Sequence, residues 1–328
     1  MKVRIIADDF TSAADGLVGF ATRFGGAGVA IPGGRSGPNT RAPFARSVDT
    51  DSRVCSNKPA AERLAIWAVA WRDADILLKQ FDSTLRGPLA SECLAAWRSS
   101  GRRPTLVAPA FPAAGRTTQH GRVLIDETRV SRTAFAHDPL TLASEDFLPA
   151  LFAAHRIELA VASDATDVDR LFDLGQRAVV LDATDEAVLR AAASRFRGDR
   201  GILWAGSTGS ARALADSLSA TFAVPVDVQR ALRPWVLLGS RHPASRREGA
   251  RLAEAGCQAR LLTTPGDPID PKAAALQVAR EAGDAVRRGA CDGVVANGAK
   301  PPRRSPSYLT RTCWTCSARL SPGLRCAG

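Results

Sequence analysis

Long apolar runs are missing from this chain of 328 residues; none approaches the roughly 20 residues that cross a bilayer, and no leader-like stretch precedes the first strand-like run. Neither a membrane partner nor a secreted protein is expected. The seven cysteines form no even, closely spaced framework, so a reducing cytoplasm is the simpler home. No Gly-x-Gly-x-x-Gly follows the first strand-like segment, which removes the signature of a dinucleotide-binding dehydrogenase. A basic stripe interleaved with aromatics is absent as well. The net charge of +11 includes Lys300, Arg303, Arg304, Arg311, Arg319 and Arg325, with no acid after residue 298; without those six it is +5. The other basic residues are spread along helical segments beside acids, so nucleic acid is not an expected partner.

What is present is ordinary for a globular enzyme, with 45% hydrophobic and 23% charged residues. The length exceeds what one core usually supports, so two domains are expected. Short β-branched runs alternate with helical segments, which predicts an α/β fold of two domains, each a mainly parallel sheet flanked by helices.

Asp82-Ser83-Thr84-Leu85-Arg86-Gly87 packs a carboxylate, two hydroxyls and a guanidinium into five positions, just past a buried run at Ile76 to Lys79. Open α/β sheets place ligand groups beyond the carboxyl ends of their strands. An aspartate can orient or deprotonate a hydroxyl, and an arginine can hold a carboxylate by two parallel hydrogen bonds. Together they suit a small polyhydroxylated acid. The run also fits an N-cap before a helix from Pro88 through Trp97, with Arg86 solvated. Three further clusters weigh against that plainer reading. Lys2 to Ala7 reads as a strand, followed by Asp8-Asp9-Phe10-Thr11-Ser12-Ala13-Ala14-Asp15 at the start of a small-residue helix. Adjacent carboxylates need a cation, a hydrogen-bond donor or a raised pKa, although a helix N-terminus accommodates one of them. Asp49-Thr50-Asp51-Ser52-Arg53 follows the apolar run near Phe44, and Pro109-Ala110-Phe111-Pro112-Ala113-Ala114-Gly115-Arg116 follows the strand Thr105 to Ala108. Arg116 offers another anion clamp.

This set resembles the N-terminal domain of the four-carbon acid sugar kinases. The family pattern runs Asp-Asp-Phe/Leu-Thr-Gly-Ala, Asp-Thr-x-Ser-Arg, Lys-Lys-x-Asp-Ser-Thr-x-Arg-Gly and Pro-Ala-Phe-Pro-x-x-Gly-Arg. Its counterparts occur in that order at Asp8 to Ala13, Asp49 to Arg53, Lys79 to Gly87 and Pro109 to Arg116, and His137-Asp138-Pro139 matches the segment after them. Ser12 stands where the family has glycine, and Gln80 where it has a second lysine.

Further strands are expected at Leu159 to Ser163 and Ala178 to Asp182, the latter followed by a helix from Asp185 to Phe196 capped by Thr184. Gly201 to Gly209 reads as a strand ending in glycines and hydroxyls, then a helix through Leu218; by resemblance this turn lies at the domain junction. A boundary is expected at Pro225 to Pro234. Trp235 to Ser240 starts a new strand and turn, with helices at Arg246 to Ala255 and Lys272 to Arg288 and a strand and glycine turn at Gly293 to Gly298. The resemblance marks this as the start of a nucleotide domain, with Gly-Ser-x-Ser-Pro-x-Thr matched by Gly239-Ser240-Arg241-His242-Pro243-Ala244-Ser245. Donors there could cradle phosphate, or the segment could be a tight turn with His242 in solvent.

After Gly298 the helix and strand periods stop. Cys313-Trp314-Thr315-Cys316 lacks two nearby ligands to complete a tetrahedral metal site, so no protein-held metal is expected. Read one base out of frame, codon choice permitting, Gly298 to Ser305 gives Gly-Gly-Glu-Thr-Ala-Ala-Ala-Val. Cys316 to Gly328 likewise gives Leu-Gly-Glu-Ile-Glu-Pro-Gly-Val-Ala-Leu-Cys-Arg. Both look like nucleotide-domain segments of the family. The expectation is residues 1–224 as a sugar-acid domain, 232–298 as part of a nucleotide domain, and 299–328 as an aberrant, disordered tail.

The resemblance implies transfer of the ATP γ-phosphoryl, with Mg2+, to the terminal hydroxyl of erythronate, threonate or a 3-oxo-tetronate. It implies catalytic roles for Asp8, Asp9 and Asp82, and substrate contacts from Thr11, Asp51, Ser52, Arg53, Lys79, Ser83, Arg86 and Arg116. Gly239, Ser240 and Gly298 would border the nucleotide. The expected partners are a sugar acid and ATP, and a homodimer is compatible with this picture. With the tail out of frame, the chain is expected to have lost turnover; the alternative function is a catalytically inactive sugar-acid-binding remnant.

Overall fold

The computed structural model describes residues 1–24, 27–31, 45–137, 143, 145–219, 232–238, 243–254, 258–261 and 271–297. The chain divides into two compact units, Met1–Val224 and Pro225–Gly328. The first opens with β1 (Val3–Ala7), α1 (Phe10–Phe24), β2 (Ala27–Ala30), β3 (Ala45–Asp49), α2 (Asn57–Ala70), β4 (Ile76–Gln80), α3 (Leu89–Ser100) and β5 (Thr105–Ala108). A small antiparallel sheet follows, of β6 (Arg116–Gln119), β7 (Arg122–Ile125) and β8 (Thr128–Arg129). Then come α4 (Leu148–Ala153), β9 (Ala160–Ala162), α5 (Ala165–Asp173), β10 (Ala178–Leu181), α6 (Glu186–Phe196), β11 (Leu203–Gly206) and α7 (Thr208–Asp216).

Eight strands form one sheet in the order β2-β3-β1-β4-β11-β5-β10-β9, every pairing parallel. Strands buried on both faces are mostly apolar, which is why β1, β4, β5, β10 and β11 read as largely hydrophobic runs, with Arg4, Lys79, Gln80 and Thr105 as buried polar exceptions. The period of two sends alternate residues to opposite cores. Val3 and Ile5 join Leu17, Phe20, Leu189, Phe196 and Leu214 from α1, α6 and α7. Ile6, Val48 and Leu77 meet Leu64, Ala68 and Ala96 from α2 and α3.

Three expectations are corrected here. Glu186 begins α6 and Asp185, not Thr184, caps it, its Oδ1 accepting from Ala187 N at 2.7 Å and Val188 N at 3.2 Å. No side chain caps α3, whose N-cap is Pro88, so Asp82 and Ser83 have no capping duty. The Gly206 to Gly209 turn, expected at the domain junction, falls inside the first unit, which runs to Val224, and follows β11 in the middle of the sheet, between β4 and β5.

The second unit contains β12 (Pro234–Leu238), α8 (Pro243–Glu254), β13 (Gln258–Leu261), α9 (Pro271–Arg287) and β14 (Gly293–Asn297). Its three strands pair in parallel in the order β13-β12-β14. Leu237, Ala282, Ala285, Cys291 and Val294 make its core. No helix among the described residues is long and apolar enough to cross a membrane. The tail 299–328, Gly239, Ser240, Gly298, His242 and Asp138-Pro139 lie outside the described residues.

Candidate functional site

β3, β1 and β4 are neighbours in the sheet, so the segments leaving their carboxyl ends share one edge. Asp8 and Asp9 leave β1, Thr50 to Arg53 leave β3, and Asp82 to Gly87 leave β4. The backbone ties the first two loops together: Thr50 N donates to Ala7 O at 2.9 Å, and Ser52 N and Arg53 N donate to Asp8 O at 2.9 and 3.1 Å. The third loop closes on them through Gly87, whose φ is +92°. A Cβ there would lie 3.2 Å from Arg53 O, so glycine answers both the left-handed backbone and the close approach.

Arg53 is the hub. Its Nε and Nη2 donate to the two carboxylate oxygens of Asp8 at 3.0 and 2.9 Å, a bidentate fork. Nη2 also reaches Ser12 Oγ at 2.7 Å, and Nη1 pairs with Asp9 Oδ2 at 2.5 Å. Asp9 Oδ1 meanwhile accepts from Ser12 N at 2.8 Å and so caps α1. The adjacent acids are thus held by a guanidinium and a helix N-terminus. Burial raises the Asp9 pKa, with the like charges of Asp8 and Asp82 adding to it and Arg53 opposing it. The Arg53 pKa is itself raised: burial works against the charge, and Asp8, Asp9 and Asp82 outweigh it.

Asp82 accepts from Thr84 Oγ1 at 2.7 Å and from Arg86 Nε, both on Oδ2. Burial alone would raise its pKa, but Arg53, Arg86 and these hydrogen bonds prevail and hold it at about 2. The Arg86 guanidinium lies 5.4 Å from the centre of the Phe135 ring, so it is bracketed by a carboxylate and an aromatic face. Ser83 is half-buried beside it, and Thr11 is exposed on the first turn of α1. Asp51 has a φ of +49° and a backbone N bonded to Asp49 Oδ1 at 2.6 Å, while Arg63 pairs with its carboxylate at 3.5 Å.

Lys79 and Ser52, expected to touch a substrate, are both fully buried. Lys79 Nζ pairs with Glu92 Oε2 at 2.7 Å and donates to Gln80 O at 2.8 Å, and Ser52 donates to Glu92 Oε1. The Arg53 fork is directed at Asp8. Glu92 escaped notice because it stands inside a helix. Its signal was a charged residue in the stripe Leu89, Glu92, Cys93, Ala96, whose spacing is that of a buried helix face.

Arg116 starts the small sheet beyond β5, its Nη1 donating to Ala114 O. Its buried Nε meets no acceptor among the described residues. Between β4 and β5, the turn after β11 brings Ser207 Oγ to Gly209 N at 3.1 Å and Ala110 O at 2.9 Å. Among the described residues no group of three or more histidines, cysteines or acids could hold a metal, and Asp8, Asp9 and Asp82 are turned to guanidinium partners.

The chain is similar to proteins of known name. The family model described as a sugar-binding N-terminal domain matches residues 3–214. A D-threonate kinase of Bordetella bronchiseptica is 31% identical over 268 residues, covering 78% of this chain and 63% of that protein. A D-threonate kinase of Cupriavidus necator is 34% identical, covering 66% and 54% of the two chains, and a 3-oxo-tetronate kinase of Escherichia coli is 28% identical, covering 57% and 52%. The chain thus spans from about half to just under two thirds of these relatives' lengths. Among solved structures, a Bordetella bronchiseptica protein crystallised with citrate as a domain-swapped dimer has a TM-score of 0.59 at 26% identity, covering 91% of this chain and 83% of its own. With most of the first unit matched by that model, the chain belongs to the four-carbon acid sugar kinase family, through its sugar-binding N-terminal domain.

Proposed function

We propose that the first unit binds a four-carbon sugar acid at the carboxyl edge of β3, β1 and β4, and that together with a nucleotide domain it phosphorylates the terminal hydroxyl from ATP. The observation carrying this reading is the Asp8–Arg53–Asp9 cluster beside Asp82 and Arg86, on an edge where sheets of this kind bind ligands. Asp82 stays ionised, and because its two contacts fall on Oδ2, Oδ1 is the oxygen a substrate hydroxyl would meet. Phosphoryl transfer needs positioning and charge neutralisation more than a strong base, so an ionised acceptor suffices to orient the attacking oxygen. Arg86 and Arg116 are the carboxylate-binding candidates, since the Arg53 fork already serves Asp8. Two strand spacings, about 10 Å, separate β4 from β5, a span that two arginines and a four-carbon acid can bridge. Gly239, Ser240 and Gly298 would border ATP, Mg2+ would arrive on its phosphates, and the protein would work in the cytoplasm, with dimerisation as in the citrate-bound relative.

Calorimetric titration with D-threonate, D-erythronate and a 3-oxo-tetronate tests the site. Binding of at least one is expected. Asp82→Ala and Arg86→Ala should each weaken it by about 1.5 to 3 kcal/mol while leaving the protein folded, the worth of a charge-assisted hydrogen bond. Unchanged affinity in both folded variants would overturn the assignment. The out-of-frame reading of residues 299–328 supports a second outcome: binding without ATP consumption, read in the same samples by ADP release.

A further inference from the structure

Glu92 touches none of the groups a substrate would meet, yet it stands at the root of the loop that presents Arg53. Its carboxylate and the Lys79 ammonium have no exposed surface and lie 2.7 Å apart. From Oε1 the contacts run to the Ser52 hydroxyl, from Ser52 to Thr50 Oγ1 at 2.7 Å, and from Thr50 to Ala7 O at 2.9 Å. Ser52 N and Arg53 N are bonded to Asp8 O at 2.9 and 3.1 Å. Between the two hydroxyl residues stands Asp51, with its φ of +49° in the left-handed region that aspartate enters more readily than most residues, and its N bonded to Asp49 Oδ1 at 2.6 Å. A buried ion pair adds little net stability, because desolvation offsets its attraction. What it can do is fix a geometry.

We propose that Glu92 is a positioning residue: through Ser52 it locks the Thr50–Arg53 loop in the conformation that aims the Arg53 fork at Asp8. The ligand-binding consequence rests on the site reading above, whereas the effect on Arg53 does not.

Glu92→Gln, Ser52→Ala and the double variant test this in 15N-labelled protein, by the exchange rate of the Arg53 Nε–H and by titration with D-threonate. Each single variant should speed that exchange and weaken binding about tenfold, equivalent to 1.4 kcal/mol, with unfolding still cooperative. The double variant should be no worse than the worse single, because both changes cut one chain of contacts. Glu92→Gln strands the Lys79 charge, so if it unfolds the protein, Glu92→Gln with Lys79→Met removes the charge and Ser52→Ala tests the same link without altering it. Unchanged Arg53 exchange in a folded variant, or effects that add in the double, would overturn the proposal. If the unmodified chain binds no D-threonate but Arg53 responds as expected, the substrate reading fails and the positioning role stands.

Discussion

Asp8, Asp9 and Asp82 would repel one another without Arg53, and the pKa shifts of Asp9 and Asp82 report how far that arginine compensates. Asp82 is the clearest case, with its pKa drawn from an ordinary 3.8 to about 2. A carboxylate whose pKa is lower folded than unfolded contributes stability at pH values above the unfolded value, and that contribution is lost as pH falls through the folded one. Asp82 should therefore stabilise the fold by on the order of 2 kcal/mol at neutral pH, fading between about pH 4 and pH 2. Asp9, whose pKa is raised, acts in the opposite sense, so the comparison must isolate Asp82. Urea midpoints of the unmodified protein and Asp82→Asn, followed from pH 7 to pH 2, should converge across that window. A gap that stays constant would show that Asp82 is not held by its arginines. Asp8, Asp82, Arg53 and Arg86 were legible because carboxylates and guanidinium groups stood just past strand-like runs. Their pairing was not, since which guanidinium meets which acid depends on loops brought together by non-neighbouring stretches of chain.

Among the elements, β1, β4, β5, β10 and β11 were legible because residues covered on both faces are mostly apolar, and their boundaries came within a residue or two. The position of β11 was not. Strand order is a long-range property, and nothing within Leu203-Trp204-Ala205-Gly206 says which neighbours it takes. The glycines beside it record the answer. A Cβ at Gly209 would lie 2.2 Å from Ala110 O, and that neighbour is backbone rather than a flexible side chain. Gly209→Ala should therefore destabilise the protein by about 1 to 3 kcal/mol, the usual cost of overpacking, and lower its melting temperature by about 2 to 4 °C per kcal/mol. Gly198→Ala, where an added Cβ meets nothing within 4 Å, is the matched control and should leave the melt nearly unchanged. Equal effects at the two positions would mean the turn has room to relax.

At the scale of the molecule, all eight strands of the large sheet and the helices that cover it lie between Val3 and Asp216. A fragment of residues 1–224 should therefore unfold in a single cooperative transition and keep the tetronate affinity of the full chain, as scanning calorimetry and titration would show. A fragment that melts without cooperativity would mean that the second unit completes its core. The boundary between the two compact units falls at Val224 and Pro225, beside the proline-bounded stretch of the sequence. Gly239, Ser240 and Gly298, proposed above to border the nucleotide, lie outside the described residues. The insertion of β11 also has a consequence in time. As the chain leaves the ribosome, β1 to β4 and then β5 to β10 emerge first, and β4 and β5 have no partner for their facing edges until Gly206 follows. Two half-sheets must wait, each with an open row of amide and carbonyl groups that invites mispairing. The last strand of this sheet to be synthesised is the one that joins them, so the nascent first unit is most exposed to aggregation, and most in need of a chaperone, just before its sheet closes.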